Sequence, residues 1–239
     1  MSNRSNFSSK IGFVLAAAGS AVGLGNIWRF PYLAARYGGG TFLLVYLILA
    51  ITFGFTLMLA EIAIGRKTGL SAIGAFKKLD HRFGFLGVLC AFIPIIIFPY
   101  YSVIGGWVIK YFATFVSGGV KSAANDTYFS SFISSTTEPI GWFALFILLT
   151  AVIVFLGVDK GIETVSKFMM PVLVLLTIFI AGYGLTVDGA MEGVAYYLKP
   201  NMEHFSVKTI LAAMGQLFYS MSLAMGIMIT YGSYMKKEK

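Results

Sequence analysis

The sequence predicts an all-α integral membrane protein, and three observations carry that reading. Hydrophobic residues make up 58% of the 239-residue chain and charged residues only 12%, with a mean hydropathy of +0.82, far from the usage of a soluble domain. Six apolar stretches, at about 11 to 37, 41 to 65, 84 to 117, 140 to 157, 168 to 187 and 207 to 235, are near or above the roughly 20 residues that a helix needs to cross a bilayer. They are continuously apolar rather than alternating, which implies helices and not barrel strands. The spans use most of the chain, so a soluble catalytic domain and a nucleic-acid partner are excluded. The net charge of +8 reports membrane topology instead.

Taken in order, the polar first ten residues precede a run, Ile11 to Leu15, too short for the core of a cleaved signal, so the first stretch reads as a retained span. Gly38-Gly39-Gly40 makes a tight turn into the second. Arg66, Lys67, Lys77, Lys78 and Arg82 fill the loop after the second span, Arg4 and Lys10 precede the first, and Lys236, Lys237 and Lys239 follow the sixth. The loops 118 to 139 and 188 to 206 hold few bases and more acids. The positive-inside rule then puts both termini in the cytoplasm and those two loops outside. With no linker or low-complexity tract, residues 1–239 read as one transmembrane domain. One Cys and two His leave little material for a disulfide framework or a Cys/His metal site.

Two spans carry small and polar residues at mid-length. The first contains Gly19-Ser20-Ala21-Val22-Gly23-Leu24-Gly25-Asn26, and the sixth contains Gly215-Gln216-Leu217-Phe218-Tyr219-Ser220-Met221-Ser222-Leu223-Ala224-Met225-Gly226. Gly19 and Gly23, four apart, read either as a close-packing face or as a place where the helix unwinds. Paired interruptions in corresponding helices are the sequence mark of a transporter site near the bilayer midplane, where freed carbonyls take cations and freed amides take anions. A dinucleotide loop at Gly23-x-Gly25 fails, since Trp28 occupies the third glycine position and no strand precedes it.

Residues 21 to 32, Ala-Val-Gly-Leu-Gly-Asn-Ile-Trp-Arg-Phe-Pro-Tyr, followed by Gly38-Gly39-Gly40-Thr41-Phe42, closely resemble the first-helix signature of the neurotransmitter:sodium symporters. Agreement continues at Glu61 with Gly65-Arg66, at Tyr100-Tyr101, at Gly161-Ile162-Glu163 and at Gly215-Gln216 with Ser220 and Ser222. The resemblance implies two inverted five-helix repeats within about twelve helices. This sequence would supply the first repeat and the first helix of the second, with helices one and six interrupted. It implies sodium-coupled symport of an amino acid across the cytoplasmic membrane, and no enzyme activity. A non-transporting membrane fragment or assembly subunit is the alternative.

The resemblance also assigns residues. Sodium would be held by the carbonyls of Gly19, Ala21 and Val22, the Asn26 side chain and Ser220, hard oxygen donors suited to that ion. The amino-acid pocket would comprise Ser20, Ala21, Leu24, Gly25, Ile97, Tyr101, Phe218, Tyr219, Ser222 and Met225. Arg29 would act as an outer gate and Arg4 with Phe7 as a cytoplasmic latch. Tyr46, Gln216 and Ser220 match part of an anion site, with chloride dependence left open. Gly23 stands where monoamine members carry an Asp, which implies a substrate that brings its own carboxylate. Glu61 would accept hydrogen bonds from the broken helices.

Overall fold

The computed structural model describes residues 7–23 and 25–235, and among them helices dominate. Ser9 caps the first, α1 (Lys10–Ala21), by accepting the Gly12 N–H at 2.9 Å, satisfying one of the donors that every helix start leaves unpaired. After a break, a π-helical turn (Gly25–Arg29) leads into α2 (Phe30–Arg36), with Pro31 in its first turn. A single helical run then covers α3 (Gly40–Leu49), a π-helical turn (Ala50–Gly54) and α4 (Phe55–Thr68). It stops at Gly69, whose left-handed φ of 66° suits a residue without Cβ.

The short helix α5 (Ala72–Leu79) precedes the long α6 (Gly84–Val116), which contains Pro94 and Pro99. Next come α7 (Val120–Ala123), α8 (Tyr128–Ser134) and α9 (Glu138–Phe155). A third π-helical turn (Val158–Glu163) opens α10 (Thr164–Gly184), followed by α11 (Ala190–Leu198). Last are α12 (Val207–Ser220), capped by Ser206, and α13 (Ile227–Ser233). Helices thus cover most of the residues in the apolar stretches. The loops between them are themselves partly helical, holding α5, α7, α8 and α11.

Among the described residues, four helical runs are long and apolar enough to cross a membrane: Gly40–Thr68, His81–Val116, Glu138–Phe155 and Val158–Gly184. The pair Lys10–Ala21 and Gly25–Arg36 makes a fifth if counted as one broken span. At 14 and 7 residues, α12 and α13 are each too short alone. Outward apolar faces are extensive, with Phe155 90% exposed, as a lipid solvent requires and water forbids.

The chain forms two compact units. One runs to Ala91 and resumes at Val158; the other is Phe92–Gly157. In the first unit, α13 lies on α4, α12 on α3 and α1 on α10. Its buried centre around Leu33, Ala34, Phe42 and Ala213 is walled by Phe30 and Tyr46, whose rings meet edge to face at 4.9 Å. Thr41 closes the turn before it: its hydroxyl donates to the Asn201 carbonyl at 2.6 Å and accepts the Asn201 N–H at 2.9 Å. In the second unit, Gly105 and Gly106 face Phe146 and the backbone of Trp142 and Phe143, leaving no room for a side chain. One helical turn on, Lys110 pairs with Glu138 and lies within 6 Å of the rings of Tyr128, Phe132 and Trp142.

Candidate functional site

The geometry at the first break begins with chain direction. The helix α1 ends when Val22 turns extended (φ −89°, ψ 103°), and the Gly23 carbonyl restarts the turn by accepting the N–H groups of Asn26 (3.0 Å) and Ile27 (3.3 Å). Asn26 reaches back across the break, its Nδ2 donating to the Ala21 carbonyl at 2.9 Å. Gly25 is buried, and a Cβ there would fall on the Tyr219 ring. At Gly19 a Cβ would lie 3.5 Å from both Met170 Sδ and Ser166 Oγ. That is an ordinary contact, so packing on α10 does not require a glycine at this position.

The second break spans residues 221–226, between α12 and α13. Ser222 and Ala224 adopt φ of 52° and 59°, and Gly226 adopts 70°, three left-handed residues in five. An L side chain disfavours that conformation by roughly 1–2 kcal/mol, so neighbouring groups must hold Ser222 and Ala224. The Ser222 hydroxyl donates to the Ser20 carbonyl at 2.8 Å, and Glu61 Oε1 accepts the Ala224 N–H at 2.7 Å. Glu61 is buried, and its Oε2 has no hydrogen-bond partner among the described residues.

Side chains join the two breaks. Gln216 is fully buried on α12 and donates Nε2 to the Gly25 carbonyl at 2.9 Å, while its Oε1 is buried without a partner among the described residues. One turn further, Ser220 Oγ lies 2.6 Å from the Tyr46 hydroxyl. Ser20 and Ser222 hydroxyls stand 3.4 Å apart. Carbonyl, hydroxyl and carboxamide oxygens therefore collect where two helices open, an arrangement suited to a small hard cation.

Of the remaining predicted residues, Phe218 packs on Phe53 at 5.8 Å between ring centroids, and Met225 is half-buried in the second break. Arg29 is exposed and lies over the Tyr219 ring at 5.2 Å. Phe7 is buried, its ring edge-on to Phe13, Tyr231 and Tyr234, and its N–H donates to the Tyr234 carbonyl at 3.1 Å. Leu24 and Arg4 lie outside the described residues. Ile97 and Tyr101 belong to the second unit, where Tyr101 packs edge-on to Tyr100 at 5.9 Å.

Two features escape a reading of the sequence. Glu163 is fully buried and accepts hydrogen bonds from the Ser8 N–H (2.7 Å), the Ser8 hydroxyl and the Ser9 hydroxyl (3.2 Å), with Lys167 Nζ at 2.7 Å. Ser8-Ser9 before an apolar helix is a legible capping signal, but its long-range acidic partner is not. Helices α4 and α13 also touch backbone to backbone: a Cβ on Gly65 would enter the Ile229 carbonyl, and one on Gly232 would enter that of Ile62.

Long apolar helices exposed on their outer faces define a multi-pass membrane protein. The chain matches the Sodium:neurotransmitter symporter family over residues 4–131 and 126–239, and it belongs to that family, one of sodium-dependent transporters rather than enzymes. Among its relatives is an uncharacterized sodium-dependent transporter, YhdH of Bacillus subtilis, 41% identical over 241 residues, covering 98% of this chain and 53% of YhdH. The sodium-dependent neutral amino acid transporter B(0)AT3 of Rattus norvegicus is 36% identical over 265 residues, covering 97% of this chain and 42% of the transporter. The crystal structure of MhsT in complex with L-phenylalanine superposes with a TM-score of 0.91 at 41% identity, covering 98% of this chain and 55% of MhsT. The chain spans about half the length of the relatives it matches.

Proposed function

We propose that this chain is the amino-terminal half of a sodium-coupled importer of an amino acid, with six spans in one membrane domain and interruptions in the first and sixth. The observation that carries the reading is the meeting of the two breaks, through Ser222 to the Ser20 carbonyl at 2.8 Å and Gln216 to the Gly25 carbonyl at 2.9 Å. Sodium would replace the Asn26-to-Ala21 hydrogen bond. The carboxamide turns its oxygen inward, and that oxygen, the Ala21 carbonyl and Ser220 become ligands. Carbonyls of Gly19 and Val22 would serve a second ion. An anion beside Ser220 would take the hydroxyl protons of Tyr46 and Ser220, with Gln216 next to them.

The substrate carboxylate would complete the sodium shell from the first break, where Gly23 and Gly25 leave space. The side chain would lie along Phe218, Tyr219 and Met225, near Ser20 and Ser222, a wall that favours a sizeable apolar amino acid. Names of relatives agree, since one is a neutral amino acid transporter and another was crystallised with L-phenylalanine. Arg29 above Tyr219 would close the site from outside, and Phe7 with Arg4 from the cytoplasm, where both termini lie.

The test is Asn26→Ala in the full-length product of the gene that contains this chain, assayed by binding of radiolabelled L-phenylalanine and L-leucine over a sodium titration. Sodium that touches the substrate must help it as much as it is helped. Both affinities should fall together, by about 10-fold for the removal of one ligand to the ion. Unchanged sodium dependence would reject the assignment.

A further inference from the structure

Two of the membrane-long helical runs, Gly40–Thr68 and His81–Val116, are joined by a connection that holds α5 and is too short to leave the bilayer surface. Ala72 and Ala75 turn inward onto Ile229, so Ile73 and Lys77, four apart, share the outward face. Ile73 is 50% exposed. Lys77 rises against Gly84, at the start of α6, next to Phe83, whose side chain is also half exposed. Lys78 Nζ donates to the Thr68 carbonyl at 3.1 Å, which brings it to the end of α4, where Lys67 precedes Thr68. Residues 66–85 carry Arg66, Lys67, Lys77, Lys78 and Arg82 against a single acid, Asp80, and Arg82 already holds that acid at 2.8 Å. We propose that α5, with the helix ends that flank it, is a docking surface for anionic phospholipids of the bordering leaflet. Lys67, Lys77 and Lys78 take headgroup phosphate oxygens, and Ile73 and Phe83 enter the acyl boundary.

Charge and exposed apolar area lie side by side here, and an anionic lipid is the ligand that uses both. A soluble polyanion would satisfy the lysines and leave Ile73 and Phe83 against its own charged surface. The cations are available: Lys67 and Lys77 are exposed and make no ion pair among the described residues. Lys78 spends one of its three N–H donors on Thr68 and keeps the others for a phosphate. Because α5 is already anchored through its alanine face, the lipid meets a formed helix and has no folding to drive. The surface is independent of whether the chain transports an amino acid.

Native mass spectrometry of the full-length product of the gene that contains this chain, titrated with phosphatidylglycerol, phosphatidylcholine or inorganic phosphate, tests the surface. Phosphatidylglycerol should be retained over phosphatidylcholine, and K67Q/K77Q should weaken it by roughly 30-fold. K77Q alone should cost about 5-fold. Lys78 is left in place because it also serves the end of α4. The charge-keeping pair K67R/K77R should bind as the parent does, and the control pair K121Q/K208Q should lose nothing. Ile73→Ser should weaken phosphatidylglycerol by about 5-fold through lost apolar burial. Equal retention of the two lipids, or equal losses in the site and control pairs, would overturn the surface. Displacement of phosphatidylglycerol by millimolar inorganic phosphate, sensitive to K67Q/K77Q while Ile73→Ser changes nothing, would overturn the lipid as occupant and assign the lysines to a soluble anion.

Discussion

The two breaks do the same thing to the chain by different means. At residues 22–25 the helix opens where glycines flank the gap, and the segment beyond is held by side chains, Tyr219 against Gly25 and Gln216 on its carbonyl. At residues 221–226 the helix opens at Ser222 and Ala224, which have no intrinsic taste for φ of 52° and 59°. There the segment beyond is fixed by backbone, α13 lying on α4 through Gly65 and Gly232. An opening written in glycine can be local. One imposed on ordinary residues needs distant partners.

The largest effect should come from breaking the backbone contact. Gly65→Ala puts a methyl into the Ile229 carbonyl, an obstacle that cannot rotate away, whereas Gly25→Ala meets a ring that can turn. The first should cost about 3 kcal/mol, and Tm on the order of 10 °C in detergent, the second about half as much. Gly141→Ala, with open space around it, should change stability by less than about 1 kcal/mol. Equal losses at Gly65 and Gly25 would erase the distinction between the two anchors.

Next in size is Glu61. Glu61→Ala leaves the Ala224 N–H without its acceptor in a buried place and should cost about 2 kcal/mol. Glu61→Gln keeps an oxygen for that N–H and should cost about half as much. Protease sensitivity between residues 221 and 226 should rise in the alanine variant before the rest of the chain loosens, and limited digestion followed by peptide mapping would show it. If the alanine variant is no less stable than the parent, the bond from the Ala224 N–H to Glu61 is not what holds the break.

This contrast also explains what can be read from the residues alone. Helix along an apolar stretch is legible because span length is a one-dimensional property: α6 begins at Gly84, where the third stretch begins, and ends at Val116. The opening at Gly23 to Asn26 is legible because glycine and asparagine signal local backbone freedom. The other opening, residues 221–226, shows one hydroxyl, Ser222, and one glycine, Gly226, among apolar residues. Its left-handed residues depend on Glu61, 163 positions away from Ala224, and no local pattern encodes that. Glu163 with Ser8 and Ser9 is hidden for the same reason, as are the π-helical turns at Ala50–Gly54 and Val158–Glu163.

The smallest prediction is the sharpest. Ala224 carries a Cβ that its φ of 59° penalises, and its N–H, not its side chain, bonds to Glu61. Ala224→Gly removes the penalty of roughly 1–2 kcal/mol and adds about 0.5–1 kcal/mol of unfolded-state entropy. A net gain of about 0.5–1 kcal/mol should follow, a rise of a few degrees in Tm. Ser222→Gly relieves the same conformation but loses the hydroxyl bond to the Ser20 carbonyl, worth about 1 kcal/mol. That variant should be neutral or slightly less stable. Thermal unfolding of the two purified variants side by side separates backbone strain from side-chain anchoring. A loss of stability in Ala224→Gly would mean that the second break is held by side-chain packing and not by its amide, and that the two openings are built alike after all.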